Sequence, residues 1–362
     1  MTSRRQFLTT AALAGITFCG CGLKHPAQAA ARPARLPVTV AGKRVRTIDV
    51  HSHCLFHEAA ALLGNDEAAS LTPPINNSQE AYLVIEQRLK AMDSQAIDME
   101  VLSINPFWYD KDRDLAAKIV TIQNEKLAEL VAAHPDRFAA FASLTLQDPA
   151  LAAQQLETAM KKQGLKGAAI GDRVAGDEFS NPKFDPVWAK AEELGATLFI
   201  HPQGIPELNK RWQGNGWLAN TIANPLGTTI ALQHLIYEGT LDRFPRLKLL
   251  AAHGGGYLPS YAPRDDHACF VAPTLCSPAI KLKKKPTEYL NQIYFDSLVF
   301  TPEALRHLVA QVGASQIMLG SDYPYIWEMH PVDHIFATHT LNDTEKANIL
   351  SHNAAKLLGM KA

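Results

Sequence analysis

The chain has 362 residues, of which 47% are hydrophobic and 20% are charged, so it can fold around a large core. Its formal net charge of -1 gives no reason to expect nucleic acid or an anionic membrane surface as a partner. The length fits either two domains or one large α/β barrel with insertions.

The first residues are predicted to form an export signal that is not part of the fold. Adjacent arginines, Arg4 and Arg5, precede an apolar stretch over residues 7–18 that is too short to span a bilayer. Small residues at positions 27 and 29 suggest a cleavage site, and the whole pattern is similar to a twin-arginine signal. We therefore expect the twin-arginine export machinery to recognise residues 1–29. The mature protein would begin with a linker over residues 30–44 and be periplasmic or secreted, with no membrane anchor. The alternative is a cytosolic protein with a disordered tail.

Cysteine usage indicates no disulfide framework. Cys19 and Cys21 fall within the predicted signal, which leaves Cys54, Cys269 and Cys276 in the mature chain. Three cysteines are too few to stabilise a fold of this size through a network of disulfides, although the sequence permits a single disulfide.

Strand-like and helix-like segments alternate from residue 42 onward. Eight segments have the apolar, β-branched composition of strands: 45–51, 99–104, 138–144, 167–171, 197–201, 247–253, 293–298 and 317–321. Most are separated by helical patterns, such as the one that Asp148 and Pro149 open and Gly164 closes. Eight strands that alternate with helices predict one α/β domain over residues 45–362, a distorted (β/α)8 TIM barrel.

Histidine and aspartate side chains stand at the ends of four of these strands. The first strand ends in His51 and His53, which point to the same side because strand side chains alternate with period two. The fifth strand runs into His201, the sixth into His253 and the eighth into Asp322. In a parallel barrel the carboxyl ends of all strands open on one face, so these side chains can converge. Such a set suits zinc, with manganese or iron as alternatives.

Four short motifs at the same positions resemble those of a known family. They are DVHSH at residues 49–53, HP at 201–202, AHGGG at 252–256 and LGSDYP at 319–324. Together they are similar to the amidohydrolase-related metalloenzymes, and most of all to the aminocarboxymuconate-semialdehyde decarboxylase subgroup. The resemblance extends over roughly residues 45 to 358.

The resemblance implies a role for each residue at the strand ends. His51, His53, His201 and Asp322 would hold one divalent metal, usually zinc, and His253 would act as a general acid/base beside it. Asp322 would serve both as a ligand and as a proton carrier. We expect the glycines after His253 to let the backbone approach the site closely.

The resemblance also implies substrate-binding residues. Trp217 corresponds to a tryptophan that faces the substrate, and Arg264 to the first of two arginines that follow the triple glycine. Ala272 stands where the subgroup carries the second arginine, so the chain departs from the subgroup at a carboxylate-binding position. Further aromatic candidates for the wall of the site are Phe107, Trp108, Tyr323 and Trp327.

The leading functional hypothesis is non-oxidative decarboxylation of a small unsaturated or aromatic carboxylic acid. The same residues also suit a metal-dependent hydrolase of a C–N, lactone or C–C bond, because the ion can deliver hydroxide to a carbonyl. A third hypothesis is an inactive periplasmic barrel that only binds metal, which the presence of His253 disfavours. Members of the family often form homodimers, although no sequence pattern in this chain establishes one.

Overall fold

A computed structural model describes residues 36–71, 82–325 and 327–361. The predicted export signal and the start of the predicted linker lie outside the described residues. At the end of that linker, β1 (Thr39–Val40) and β2 (Lys43–Arg44) pair as an antiparallel hairpin. Arg44 binds the carboxylate of Asp98 at 2.6 Å, which ties the hairpin to the rest of the fold. The last residues of the predicted linker are therefore ordered.

Ten further strands follow the hairpin. They are β3 (Ile48–His53), β4 (Met99–Ser103), β5 (Phe138–Ala140), β6 (Gly167–Ile170), β7 (Arg173–Val174), β8 (Asp177–Glu178), β9 (Thr197–Ile200), β10 (Lys248–Ala251), β11 (Ile293–Asp296) and β12 (Ile317–Met318). Strands β7 and β8 form a small antiparallel pair. The other eight are parallel, in the two runs β3-β4-β5 and β6-β9-β10-β11-β12.

Isolated bridges join the two runs at both ends. Ala142, just beyond β5, pairs with Ala168 of β6. At the other joint Ser52 of β3 pairs with Tyr323, and the amide of Asp322 donates to the carbonyl of His51 at 2.8 Å. The eight parallel strands thus follow one another around a ring, which confirms the predicted distorted (β/α)8 barrel.

The helices fill the connections between the strands. They are α1 (His57–Ala60), α2 (Asn65–Ser70), α3 (Ile85–Ser94), α4 (Arg113–Ala133), α5 (Pro149–Lys161), α6 (Asp185–Leu194), α7 (Leu218–Thr221), α8 (Ala223–Tyr237), α9 (Thr240–Arg243), α10 (Leu258–Val271), α11 (Pro302–Val312), α12 (Asp333–Ala337), α13 (Asp343–Ala347) and α14 (Asn353–Leu358). The predicted start of α5 is confirmed, because Asp148 accepts a hydrogen bond from the amide of Leu151 and Pro149 occupies the first turn. No helix among the described residues is long and apolar enough to cross a membrane.

The core has two layers because the strands are buried on both faces. Alternate strand residues, among them Val50, Val101 and Phe199, form one cluster inside the barrel. The intervening residues, such as Leu102 and Leu198, pack outward against the helices. Burial on both faces explains why the strands are nearly continuous apolar runs, so that polar residues at their ends are conspicuous.

One disulfide is present among the described residues. It joins Cys269, near the end of α10, to Cys276 seven positions later. The third cysteine of the predicted mature chain, Cys54, is buried and free.

Candidate metal centre and active site

The structure brings the four predicted metal ligands together. His51 and His53 end β3, His201 directly follows β9, and Asp322 lies four residues after β12. One potential ligand atom of each lies within 4.8 Å of the others, and all four residues are buried. The arrangement forms a site for a single divalent ion.

Hydrogen bonds fix which ring nitrogens face the centre. Nδ1 of His51 lies 2.6 Å from the carboxylate of Asp296 and donates to it. The hydroxyl of Ser103 donates to the carbonyl of Ser52 at 3.1 Å, so at 2.9 Å it accepts from Nδ1 of His53. With a cation bound, both histidines would therefore carry their protons on Nδ1, and their Nε2 lone pairs would point into the centre.

When both imidazoles are neutral in this way, the inward-facing atoms are hydrogen-bond acceptors without donors. The Nε2 atoms of His51 and His53 lie 3.0 Å apart, and Oδ1 of Asp322 lies 3.2 Å and 3.0 Å from them. Oδ1 of Asp322 and both ring nitrogens of His201 make no hydrogen bond among the described residues. Buried polar atoms without partners are costly, and a cation bound between these acceptors would satisfy them. Three imidazoles and one carboxylate fit zinc or manganese.

Without a cation, the ionisable groups of the centre affect one another strongly. Burial lowers the pKa of His51, but the carboxylates of Asp322 and Asp296 outweigh burial and raise it to about 10. Burial lowers the pKa of His53 to about 4, because the neighbouring carboxylate of Asp322 compensates only in part. The pKa of Asp322 lies well below its usual value, since the surrounding histidines outweigh the effect of burial. Asp322 is therefore an ionised ligand at neutral pH.

Asp296 supports the centre, although it was not among the predicted site residues. It is fully buried at the end of β11 and accepts hydrogen bonds from His51 Nδ1 and from the amides of His253 and Gly254, at 2.9 Å and 2.8 Å. Burial raises its pKa, but the His51 hydrogen bond and nearby positive charge lower it below the usual value. A single carboxylate thus orients both a metal ligand and the backbone that carries His253.

Replacing Asp296 with asparagine should weaken metal binding by about 10- to 100-fold. The amide NH₂ of asparagine would face one of several N–H donors, so His51 would lose its fixed orientation. Titration of the metal-free variant with zinc, followed by calorimetry, measures the change. The exposed Asp333→Asn exchange is the matched control, and equal affinities for the two variants would contradict this role.

A second buried group clamps the strands behind the ligands. The guanidinium of Arg88, on α3, binds Glu100 at 2.6 Å, the carbonyl of His53 at 2.6 Å and the hydroxyl of Ser52. It also lies over the ring of Tyr323, 4.5 Å from its centroid. Arg88 therefore holds β3 and the residue after Asp322 together, which fixes the distance between ligands from different strands.

His253 lies beside the ligands, as expected for an acid/base. Its Nε2 is 3.6 Å from Oδ2 of Asp322, and its side chain is 15% exposed. Both residues have positive φ angles, 56° for His253 and 64° for Asp322. Residues other than glycine rarely adopt this conformation, and those that do cluster at functional sites.

The glycines that follow His253 allow close packing against neighbouring elements. A Cβ at Gly256 would lie 2.1 Å from the carbonyl oxygen of Pro225 in α8, and one at Gly255 would lie 2.6 Å from the ring of Phe295. The predicted close approach is therefore to the neighbouring helix and strand, which hold the His253 turn in place.

The metal ligands open into a cavity of about 340 Å³. Its wall combines aromatic rings with side-chain amides: Phe107, Trp217, Tyr325, Trp327, Asn105, Gln203, Asn220 and Asn224. Trp217 is 41% exposed and stacks on Trp327, with centroids 5.4 Å apart and planes 12° apart. Stacked rings beside a metal centre suit a flat, conjugated ligand.

Two of the predicted aromatic wall residues belong to the core instead. Trp108 is fully buried and donates its indole N–H to the carbonyl of Leu144 at 2.8 Å. Tyr323 is buried beneath Arg88. Residues after a strand face either the mouth or the helices, and their composition does not distinguish the two.

Arg264 does not reach the site within this chain. It is exposed on α10 and lines neither this cavity nor the one beside His253. Ala272, at the other arginine position of the subgroup, follows the last residue of α10.

Comparisons with known proteins agree with this geometry. The family model described as Amidohydrolase matches residues 48–360. The 2-amino-3-carboxymuconate-6-semialdehyde decarboxylase of Dictyostelium discoideum is 32% identical over 277 residues, which cover 75% of this chain and 76% of the relative.

Solved structures extend the likeness to the fold. The 5-carboxyvanillate decarboxylase of Sphingomonas paucimobilis is 27% identical, with a TM-score of 0.80, over 88% of this chain and 100% of that one. A dihydroxybenzoic acid decarboxylase from a Polaromonas species, with bound manganese and the inhibitor 2-nitroresorcinol, is 25% identical, with a TM-score of 0.76, over 87% of this chain and 97% of that one. From its matched sequence and its four-ligand centre, the chain is an enzyme of the amidohydrolase family.

Proposed function

We propose that this protein is a metal-dependent, non-oxidative decarboxylase of a small aromatic carboxylic acid. The observation that carries the proposal is the position of His253 beside a four-ligand metal centre. The ligands of that centre lie at the edge of an aromatic-walled cavity. Three relatives of this chain are decarboxylases, two of them with aromatic acids in their names, and one of these binds manganese and a nitroresorcinol. These names favour decarboxylation over the hydrolysis that the same residues would also permit.

The cavity wall suits the first task, which is to hold a flat acid against the centre. Trp217 and Trp327 form a stacked pair, and Phe107 faces the same space. The amides of Asn105 and Gln203 can donate to ring hydroxyls or to the carboxylate. When bound, the divalent ion supplies Lewis acidity for the substrate oxygens and for the charge that develops during the reaction.

The second task is to deliver a proton to the ring carbon that loses its carboxylate. The bond between the ring and the carboxyl carbon breaks, and its electron pair forms a new C–H bond with a proton from His253. Carbon dioxide leaves, and the proton lost by His253 is replaced from solvent. Asp322 lies 3.6 Å from His253 Nε2, a contact of the kind that shortens when substrate binds, so the two side chains can form a hydrogen bond during the reaction.

Carbon dioxide release tests the proposed reaction. The metal-loaded protein should release one carbon dioxide per molecule of a mono- or dihydroxybenzoic acid in a panel of aromatic and muconate-type acids. The same protein should leave amides and lactones intact. Hydrolysis of an amide or lactone, with no carbon dioxide from any acid, would replace the proposal with the hydrolase alternative.

We infer that zinc is the resident ion, because three imidazoles and one carboxylate fit its preference for nitrogen-rich sets. Manganese is the alternative ion, as the Polaromonas relative binds it.

A homodimer is a further proposal, supported by large apolar side chains exposed at the end of α10 and just beyond it: Phe270 (85%), Val271 (74%) and Leu275 (85%).

We infer that the twin-arginine pattern directs export of the folded protein. The Cys269–Cys276 disulfide supports this proposal, because such bonds persist in oxidising compartments and are rare in the cytosol. Changing Arg4 and Arg5 together to lysine should retain the protein in the cytoplasm, as measured by fractionation of cells that express it. The Lys43→Arg exchange, which also swaps one cation for another, is the control. A periplasmic double variant would contradict recognition by the twin-arginine machinery.

A further inference from the structure

Two cavities meet at Asp322. The first, described above, is lined by the ligands His53 and His201, whereas a second of about 330 Å³ is lined by His253. Asp322, Trp327, Asn220 and Asn224 line both, so the two chambers are continuous. His53 and His201 therefore face one chamber and His253 faces the other, and a substrate that contacts all three extends through the space where the chambers join.

One side of the second chamber is apolar, whereas polar side chains such as Thr221 and Asn224 line the rest. The loop after β11 contributes Leu298, Val299 and Phe300, and Pro225 of α8 completes that side. None of the described residues that line either chamber is a lysine or an arginine. Among the described lining residues, only His253, the proposed proton donor, can carry a positive charge, so a second anionic group would have no counter-ion of its own there. Apolar surface, in contrast, would be removed from water along the side formed by residues 298–300.

Phe300 is held at the edge of this chamber in an uncommon conformation. Its φ angle is 66°, in the left-handed region that bulky side chains rarely adopt. Its ring is 48% exposed and lies 6.5 Å from that of Trp327, which in turn stacks on Trp217. An exposed aromatic residue in such a conformation persists only where the surrounding structure fixes it. The three rings form a row from the first chamber to the second.

We propose that the second chamber binds an apolar substituent of the substrate, so that the preferred acid is a hydroxybenzoate with an alkyl, alkoxy or aryl group and a single carboxylate. The inference rests on the proposed decarboxylase function. The carboxylate and its adjacent hydroxyl lie with the metal ligands, the ring lies beside Trp327, and the substituent extends past His253 towards Phe300. A second carboxylate at the same ring position is disfavoured, because the described wall offers it no lysine or arginine, and an ion pair with His253 would hold the proton that the ring carbon must receive.

A substrate series tests the proposal. The value of kcat/KM for carbon dioxide release is compared among 2,6-dihydroxybenzoate, its derivatives with a butyl group meta or para to the carboxylate, and derivatives with a second carboxylate at those positions. One butyl derivative should exceed the parent acid by about 10- to 100-fold, since each buried methylene contributes about fourfold. A butyl series no better than the parent acid, or a preference for the dicarboxylates, would overturn the proposal.

Two variants of Phe300 test whether the second chamber causes the preference for a butyl derivative. Phe300→Asn suits the positive φ angle but removes the apolar ring, whereas Phe300→Leu keeps an apolar side chain. The ratio of kcat/KM between the best butyl derivative and the parent acid should fall at least about fivefold in Phe300→Asn and less in Phe300→Leu. An unchanged ratio in both variants would assign the butyl preference to another surface and refute the role of this chamber.

Binding of unreactive ligands separates this inference from the proposed reaction. Calorimetry with the metal-loaded protein compares resorcinol with butylresorcinol, neither of which carries a carboxylate. Tighter binding of butylresorcinol that Phe300→Asn abolishes supports the chamber, even if no acid releases carbon dioxide and the decarboxylase proposal fails. Equal binding of the two phenols by the unmodified protein would refute the chamber, whatever reaction the enzyme catalyses.

Discussion

Replacing His201 with alanine should reduce the metal content from about one ion per chain to nearly zero and lower carbon dioxide release by about 10³-fold or more. His201 is the most informative ligand to remove, because neither of its ring nitrogens makes a hydrogen bond among the described residues. The exchange therefore breaks no side-chain hydrogen bond of the described structure and removes a ligand together with its ring contacts to Phe199 and the neighbouring histidines. Elemental analysis of the purified protein measures the metal directly.

Two controls separate loss of the ligand from loss of the fold. His339→Ala removes an exposed imidazole, so it should keep both metal and activity. The circular dichroism of His201→Ala should match that of the parent protein after a chelator has removed its metal. Full metal occupancy and activity in His201→Ala would exclude this residue as a ligand and the centre as built here.

The sequence predicts the ligands well because polar residues at the ends of apolar barrel strands are easy to recognise. Strands buried on both faces are nearly continuous apolar runs, so His51, His201 and Asp322 stand out where the apolar run stops. Parallel strand order then places these ends on one face without any knowledge of the loops. The order of strands and the convergence of ligands therefore follow from local pattern and topology.

The residues that support the ligands, Asp296 and Arg88, could not be predicted in the same way. Asp296 also ends a strand, but the predicted strand continued to residue 298 and concealed that end. Arg88 lies in a helix whose charged residues are expected to face solvent, and only the folded structure shows it buried against Glu100 and His53. Burial of one charged residue on a helix depends on what packs against it, which sequence spacing does not specify.

The second chamber could not be predicted from the sequence, because its shape depends on uncommon backbone conformations. Trp217 and Phe300 adopt positive φ angles that residue type would argue against. Tertiary packing imposes these conformations, and they aim the two rings toward Trp327. The sequence predicts Trp217 and Trp327 as residues of the site, but the contribution of the loop after β11 is apparent only in the folded structure.

Replacing His253 with alanine should lower carbon dioxide release by about 10²–10⁴-fold while the metal content stays at about one ion per chain. His253 is not one of the four ligands, and its Nε2 faces Asp322 at 3.6 Å, so its loss removes a proton donor and leaves the ion's ligands in place. This result would also exclude the hypothesis of an inactive metal-binding barrel. His267→Ala, which removes an exposed imidazole of α10, is the control.

Hydrogen exchange tells proton transfer apart from a structural role. Since protonation of the ring carbon is reversible, the metal-loaded enzyme in deuterated water should exchange the corresponding hydrogen of a phenol product, with no carbon dioxide present. His253→Ala should lose this exchange but retain calorimetric binding of the same phenol, because the ring is held by Trp217 and Trp327. Weaker phenol binding with an unchanged exchange rate at saturation would mean that His253 only shapes the cavity. The proton would then have to come from Asp322, which lines both chambers and is the other candidate acid/base.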